Sequence, residues 1–281
     1  MRRFLLLVPI AVALAAAAMG PAVFAAGGHV IYDSTVTPLP GNVPSVGAEA
    51  YSFTELGDEV TFADNTRTLK QVTVTLSSWG CQAGRWYTAD CSTTPGATFS
   101  LPITFNIYSP GANNTAGAFI ATRTQSFDVP YRPSTDSANC TGGRWLDGSQ
   151  GCFNGLAVNV TFDFSSRRVV LPDTVVYGIA YNTSHYGPNP IGNGATCYNS
   201  SGGCPYDSLN IGLAPSVVVG SKPFPNTVYQ NAVYAGDYCD NGAAGVGTMR
   251  LDSPSSACWF DASQNFIPAV KFTASHAGGD N

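Results

Sequence analysis

Charge is scarce in this chain. Asp, Glu, Lys and Arg make up 11% of its 281 residues, with three Glu and three Lys. The usual surface helix formers are therefore missing, and no helix is expected beyond the N-terminal segment. No basic cluster occurs. Removing Arg2 and Arg3 with a leader takes the formal net charge from −5 to −7. That balance repels nucleic acid and anionic membranes, so neither is expected as a partner. There is no G-x-S-x-G nucleophile elbow and no H-E-x-x-H helix, so the common hydrolase and metalloprotease machineries are absent. A solvated surface must instead come from Ser, Thr, Asn and Gly. Apolar residues at 44% and aromatics at 11% separate the chain from disordered sequences.

Residues 1–25 read as a secretory signal. Arg2 and Arg3 supply the positive start, residues 4–18 the apolar run, and Val23 and Ala25 the flank of a cleavage site. The apolar run is shorter than the roughly 20 residues of a membrane span. No Cys lies near the cleavage site, so a lipid anchor is not expected. The polar C-terminus, residues 273–281, carries no hydrophobic tail. The expectation is a mature chain, residues 26–281, that forms one domain and is secreted without membrane insertion.

Eight cysteines suit that compartment. Their order along the chain groups them into neighbours, and the pairs Cys81–Cys91, Cys140–Cys152, Cys197–Cys204 and Cys239–Cys258 are expected to close short Gly-rich loops. Zinc is not expected, because the spacing and the oxidising compartment are wrong for thiolate ligation.

Two of these loops share a signature. Cys81-x-x-Gly84-Arg85-Trp86 is closed by Cys91 and followed by an alternating segment at 103–107. Cys140-x-x-Gly143-Arg144-Trp145 is closed by Cys152 and followed by another at 160–164. Two equivalent arches could lie side by side in one sheet and emerge at one end. Arg85, Trp86, Arg144 and Trp145 would then come together, with Trp79 beside them. An indole face suits a sugar ring, and a guanidinium suits hydroxyls and carboxylates. The same residues also suit packing, Trp on a disulfide and Arg over Trp.

The dominant period is two, as in Val72, Val74 and Leu76, or Ile103, Phe105 and Ile107. Further strands are expected at 29–33, 48–53, 59–62, 118–127, 156–164, 175–181, 208–213, 227–233, 246–251 and 267–273, with 174–181 central. Gly and Pro punctuate the chain throughout. Together these give an all-β fold: a two-sheet antiparallel β-sandwich, jelly-roll-like, with disulfide-closed loops.

Other candidates for chemistry are few. Glu55 and Glu59 could form a glycosidase pair, but a solvated turn is the simpler expectation for them. Asp237, Asp240 and Asn241 could offer oxygens to calcium, the one cofactor entertained, with a capped turn as the alternative. His185, beside Ser184, is the only histidine placed for catalysis.

The segments 39–50, 69–76 and 171–181 resemble secreted bacterial β-sandwich proteins of the choice-of-anchor kind, and the Ala-rich leader looks actinobacterial. The resemblance implies a sandwich and transfers no catalytic residues. The leading expectation is a non-catalytic module that binds polysaccharide or a cell-surface glycan. The alternatives are a structural or adhesive surface protein and, last, a glycoside hydrolase.

Overall fold

The computed structural model describes residues 28–51, 53–86, 88–148, 150–181, 209–253 and 267–276. The expected signal, Ser184, His185, Cys197, Cys204 and Cys258 lie outside the described residues. Fourteen strands occur among the described residues: β1 His29–Asp33, β2 Ser45–Gly47, β3 Phe53–Thr61, β4 Thr68–Ser78, β5 Thr98–Pro110, β6 Ala116–Pro130, β7 Trp145–Asp147, β8 Gly151–Phe153, β9 Leu156–Asp163, β10 Thr174–Tyr181, β11 Leu209–Gly212, β12 Val228–Ala232, β13 Arg250–Asp252 and β14 Val270–Ser275. Among the described residues one α-helical turn, α1, spans Ala48–Tyr51, and there are three 3-10 turns.

The strands form the expected all-β, two-sheet antiparallel sandwich. One sheet runs β13-β12-β3-β10-β5-β6. The other is built around β4. Strand β9 pairs along one edge of β4. Strands β14 and β11 lie end to end along its other edge, with β1 and β2 outside them. The joint between β11 and β14 is closed by Thr75 N–H to Ala269 O at 2.9 Å and by Ala269 N–H to Gly212 O at 2.8 Å. At the open side of the sandwich the two edge strands face each other. Arg167 Nη1 donates to Thr122 O of β6 at 2.8 Å, which covers a carbonyl that an edge would leave open.

Alternation explains the core. Val72, Val74 and Leu76 of β4 meet Ile103, Phe105 and Ile107 of β5, all fully buried. Phe105 is the hub: its ring stacks on Tyr177 at 5.5 Å and meets Phe162 and Phe272 at 5.6 Å each. One apolar cluster runs from Ile31 to Ala274. On the wet faces the hydroxyl ladders Thr73–Thr161 and Thr104–Thr124 pair across strands at 2.9 and 2.8 Å.

Three expectations change. Residues 48–51 are not a strand but the α1 turn, and β3 begins at Phe53. Residues 246–249 are a turn, with Gly245 and Gly247 at φ of +114° and +71°, and the strand there is confined to β13. Glu55 and Glu59 are not in a solvated turn. They lie within β3, at 7% and 9% exposure.

Candidate functional site

Strand β4 climbs to one pole of the sandwich, and the first disulfide loop carries the chain across to β5 in the opposite sheet. Strand β6 climbs to the same pole, and the second loop crosses back to β9. The arches are thus not neighbours in one sheet, as the repeat suggested. They cross between sheets in opposite senses and meet because β5 and β9 face each other over the core, where Phe105 touches Phe162.

Both expected disulfides in these loops are present, Cys81–Cys91 and Cys140–Cys152, with Cα separations of 5.4 and 5.7 Å. Each closes a short loop, a constraint that contributes about 2–4 kcal/mol. Cys239 is also disulfide-bonded. Its partner, and with it the expected Cys239–Cys258 and Cys197–Cys204 pairs, falls outside the described residues.

The loops touch. Gly143 holds φ +72°, and a Cβ there would stand 2.6 Å from the Trp86 carbonyl oxygen. Only glycine meets both demands without strain. Between the loops runs the 131–136 segment, and its Arg132 fastens them. Arg132 N–H donates to Gly80 O at 2.9 Å. Its guanidinium donates to Gly143 O at 2.6 Å and to Pro133 O at 3.2 Å. Thr135 Oγ1 adds a bond to Gly143 O at 3.1 Å. Arg132 is fully buried, and burial lowers its pKa to about 10.

The tryptophans gather at this pole with different fates. Trp79 and Trp86, both half-buried, meet edge to face at 4.7 Å. The Trp79 indole donates to Ser77 Oγ at 2.9 Å. Trp145 is 6% exposed, packs on Phe153 at 5.7 Å, and donates its indole N–H to Gly155 O at 2.8 Å. Gly155 separates the two sets, since a Cβ on it would stand 2.4 Å from Trp79 Nε1. Trp145 therefore serves the packing of its own loop and is not a surface platform. Arg85 and Arg144 are half-buried. The Arg144 guanidinium folds back onto Thr141, donating to its carbonyl at 2.9 Å and its Oγ1 at 3.0 Å. Asp90 caps the first loop. Its carboxylate accepts from Thr88 Oγ1 and Arg85 N, bonds that hold its pKa below the usual range.

The carboxylates of β3 face both ways. Glu55 and Glu59 share the outer face of their sheet. Asn106 Nδ2 donates to Glu55 at 2.9 Å, the Tyr108 hydroxyl lies 2.9 and 3.0 Å from its two oxygens, and Tyr229 donates to Glu59 at 2.7 Å. Four residues of strand place their Cα atoms about 13 Å apart, and each carboxylate is engaged by its own partners. Asp240 is spoken for as well. Its oxygens accept from Gly242 N, Ala244 N and the Arg250 guanidinium, the last at 2.7 Å. Among the described residues no group of three or more His, Cys, Asp or Glu could hold a metal ion.

Burial raises the pKa of Glu55 and Asp252. A carboxyl with a raised folded pKa lends stability that is complete below its unfolded value of about 4 and is lost as pH rises through the folded value. Asp64, Asp90, Asp136 and Asp163 shift the other way but are solvent-exposed, so their opposing effect is screened. Denaturant midpoints are therefore expected to fall between pH 5 and pH 7.5, and Glu55→Gln is expected to flatten that slope. A wild-type midpoint that rises over the same interval contradicts it.

Among the described residues no helix is long and apolar enough to cross a membrane. Compared with protein-family models, with curated proteins and with solved structures, the chain finds no match.

Proposed function

We propose that this protein is a secreted, non-catalytic binding module that meets a polysaccharide or cell-surface glycan at the twin-loop pole. The contact set is Trp79 and Trp86 with Arg85 and Arg144. The single observation that carries the reading is the junction of the two arches at Gly143, which gathers a half-exposed indole pair and two guanidinium-bearing residues on a disulfide-braced surface. Rigid aromatic surface with polar neighbours binds a sugar ring at little entropic expense. The expected leader and the oxidised Cys81–Cys91 and Cys140–Cys152 pairs fit an extracellular setting.

The test is co-sedimentation of the full mature chain with a panel of insoluble polysaccharides. At least one is expected to retain it, and Trp86→Ala is expected to weaken retention by about tenfold, near 1.4 kcal/mol, with the melting temperature little changed. Equal retention of Trp86→Ala, or no retention by any glycan, overturns the reading. The second reading, a structural or adhesive surface protein, draws support from the burial of Trp145. It expects no tryptophan fluorescence response to any glycan.

A further inference from the structure

Asp58 lies on the inner face of β3, between Leu56 and Val60, and is fully buried. It is there with a lysine. The segment carrying Lys222 straps the side of the sandwich. Asp33 N of β1 donates to Val219 O at 3.0 Å, and Ser221 and Thr61 of β3 exchange both backbone bonds at 2.9 Å. From this strap the Lys222 side chain, 6% exposed, turns inward. Its Nζ contacts Asp58 Oδ2 and the carbonyl oxygen of Thr227. The other carboxyl oxygen, Oδ1, accepts from Glu59 N at 2.9 Å. Tyr177 stands across from Asp58 in the sheet register, and the Tyr32 ring packs against Gly220 of the strap.

Two opposite charges in such a place lose several kcal/mol of hydration each. Transfer of the lysine proton to Asp58 removes both charges, and burial already favours the protonated acid. What then remains in contact is a neutral amine and a neutral carboxylic acid, held together and shielded from water. Fixed proximity of this kind replaces a bimolecular encounter by an intramolecular one.

We propose that Lys222 and Asp58 are joined by an intramolecular amide cross-link. Nζ attacks Cγ of the protonated Asp58 and the Nζ–Cγ bond forms. The Cγ–Oδ2 bond breaks, and Oδ2 departs as water, carrying the acid proton and one proton from Nζ. No electrons are exchanged and no co-reactant is needed. The product keeps the hydrogen bonds already in place: the remaining N–H points to Thr227 O, and Oδ1 still accepts from Glu59 N. The link ties residue 58 to residue 222, and so fastens the strap that spans the two sheets.

Peptide mapping by mass spectrometry of the reduced, alkylated full chain tests this. The expected result is one branched peptide containing both Asp58 and Lys222, lighter by one water than the sum of the two linear peptides, which are themselves missing. In Lys222→Arg both linear peptides are expected at full mass. The wild-type map decides the matter even where that variant does not fold. Linear Asp58 and Lys222 peptides at full mass in the wild type overturn the proposal.

Discussion

Arg132→Ala is expected to destabilise the fold by about 3–5 kcal/mol, from the loss of buried charge-assisted hydrogen bonds together with the cavity left by a large side chain. The guanidinium is fully buried and bonds Gly143 O on one side and Pro133 O on the other, while its backbone N–H holds Gly80 O. No side chain of similar volume reproduces that fork. Arg132→Met keeps much of the packing but leaves the carbonyls short of donors, so it is expected to lose about 1–3 kcal/mol. Arg144→Ala serves as the control. Its guanidinium bonds only its own loop at Thr141, on the surface, and a change within about 0.5 kcal/mol is expected. Urea denaturation of the three variants with disulfides intact measures this. Equal losses for Arg132→Ala and Arg144→Ala would show that the loops do not depend on the buried guanidinium.

Trp145→Ala is expected to lower stability by about 3–5 kcal/mol, and Trp86→Ala by much less. The two residues occupy the same place in the repeated signature, so the contrast comes from structure alone. Removing Trp145 empties the packing against Phe153 and strips Gly155 O of its donor. Removing Trp86 takes away a half-buried ring whose neighbour Trp79 keeps its own bond to Ser77. Thermal melts of the two variants decide between the assignments. A larger loss for Trp86→Ala than for Trp145→Ala would reverse them.

Much of the sandwich was legible because most strands have one wet and one dry face. Val72, Val74 and Leu76 against Thr73 declare β4; Ile103, Phe105 and Ile107 against Thr104 declare β5. The rule fails where both faces are covered. Strand β3 is buried on its inner side against the core and on its outer side beneath Tyr108, Tyr229 and Met249. Its carboxylates therefore escape the alternation, and Gly57-Asp58 imitates a turn. The site was half legible. The repeated C-x-x-G-R-W announced two loops, and spacing within it gave two correct disulfides. Nothing local says that the strands after the loops enter opposite sheets, because that depends on how each arch crosses the core. Nor does it say that Trp145 turns inward to Gly155 while Trp86 meets Trp79. Arg132 left only a faint trace, an arginine between Tyr131 and Pro133 on the segment linking the loops. Lys222 and Asp58 left none, since 164 residues separate them.

The most direct measurement is tryptophan emission during titration with soluble oligosaccharides of whichever polysaccharide retains the protein, on the wild type, Trp86→Phe and Trp145→Phe. A ligand-dependent change that persists in folded Trp145→Phe and is reduced in folded Trp86→Phe, where Trp79 still reports, is the predicted result. A change that follows Trp145, or that is indifferent to Trp86, would contradict the assignment of the glycan contact to the twin-loop pole.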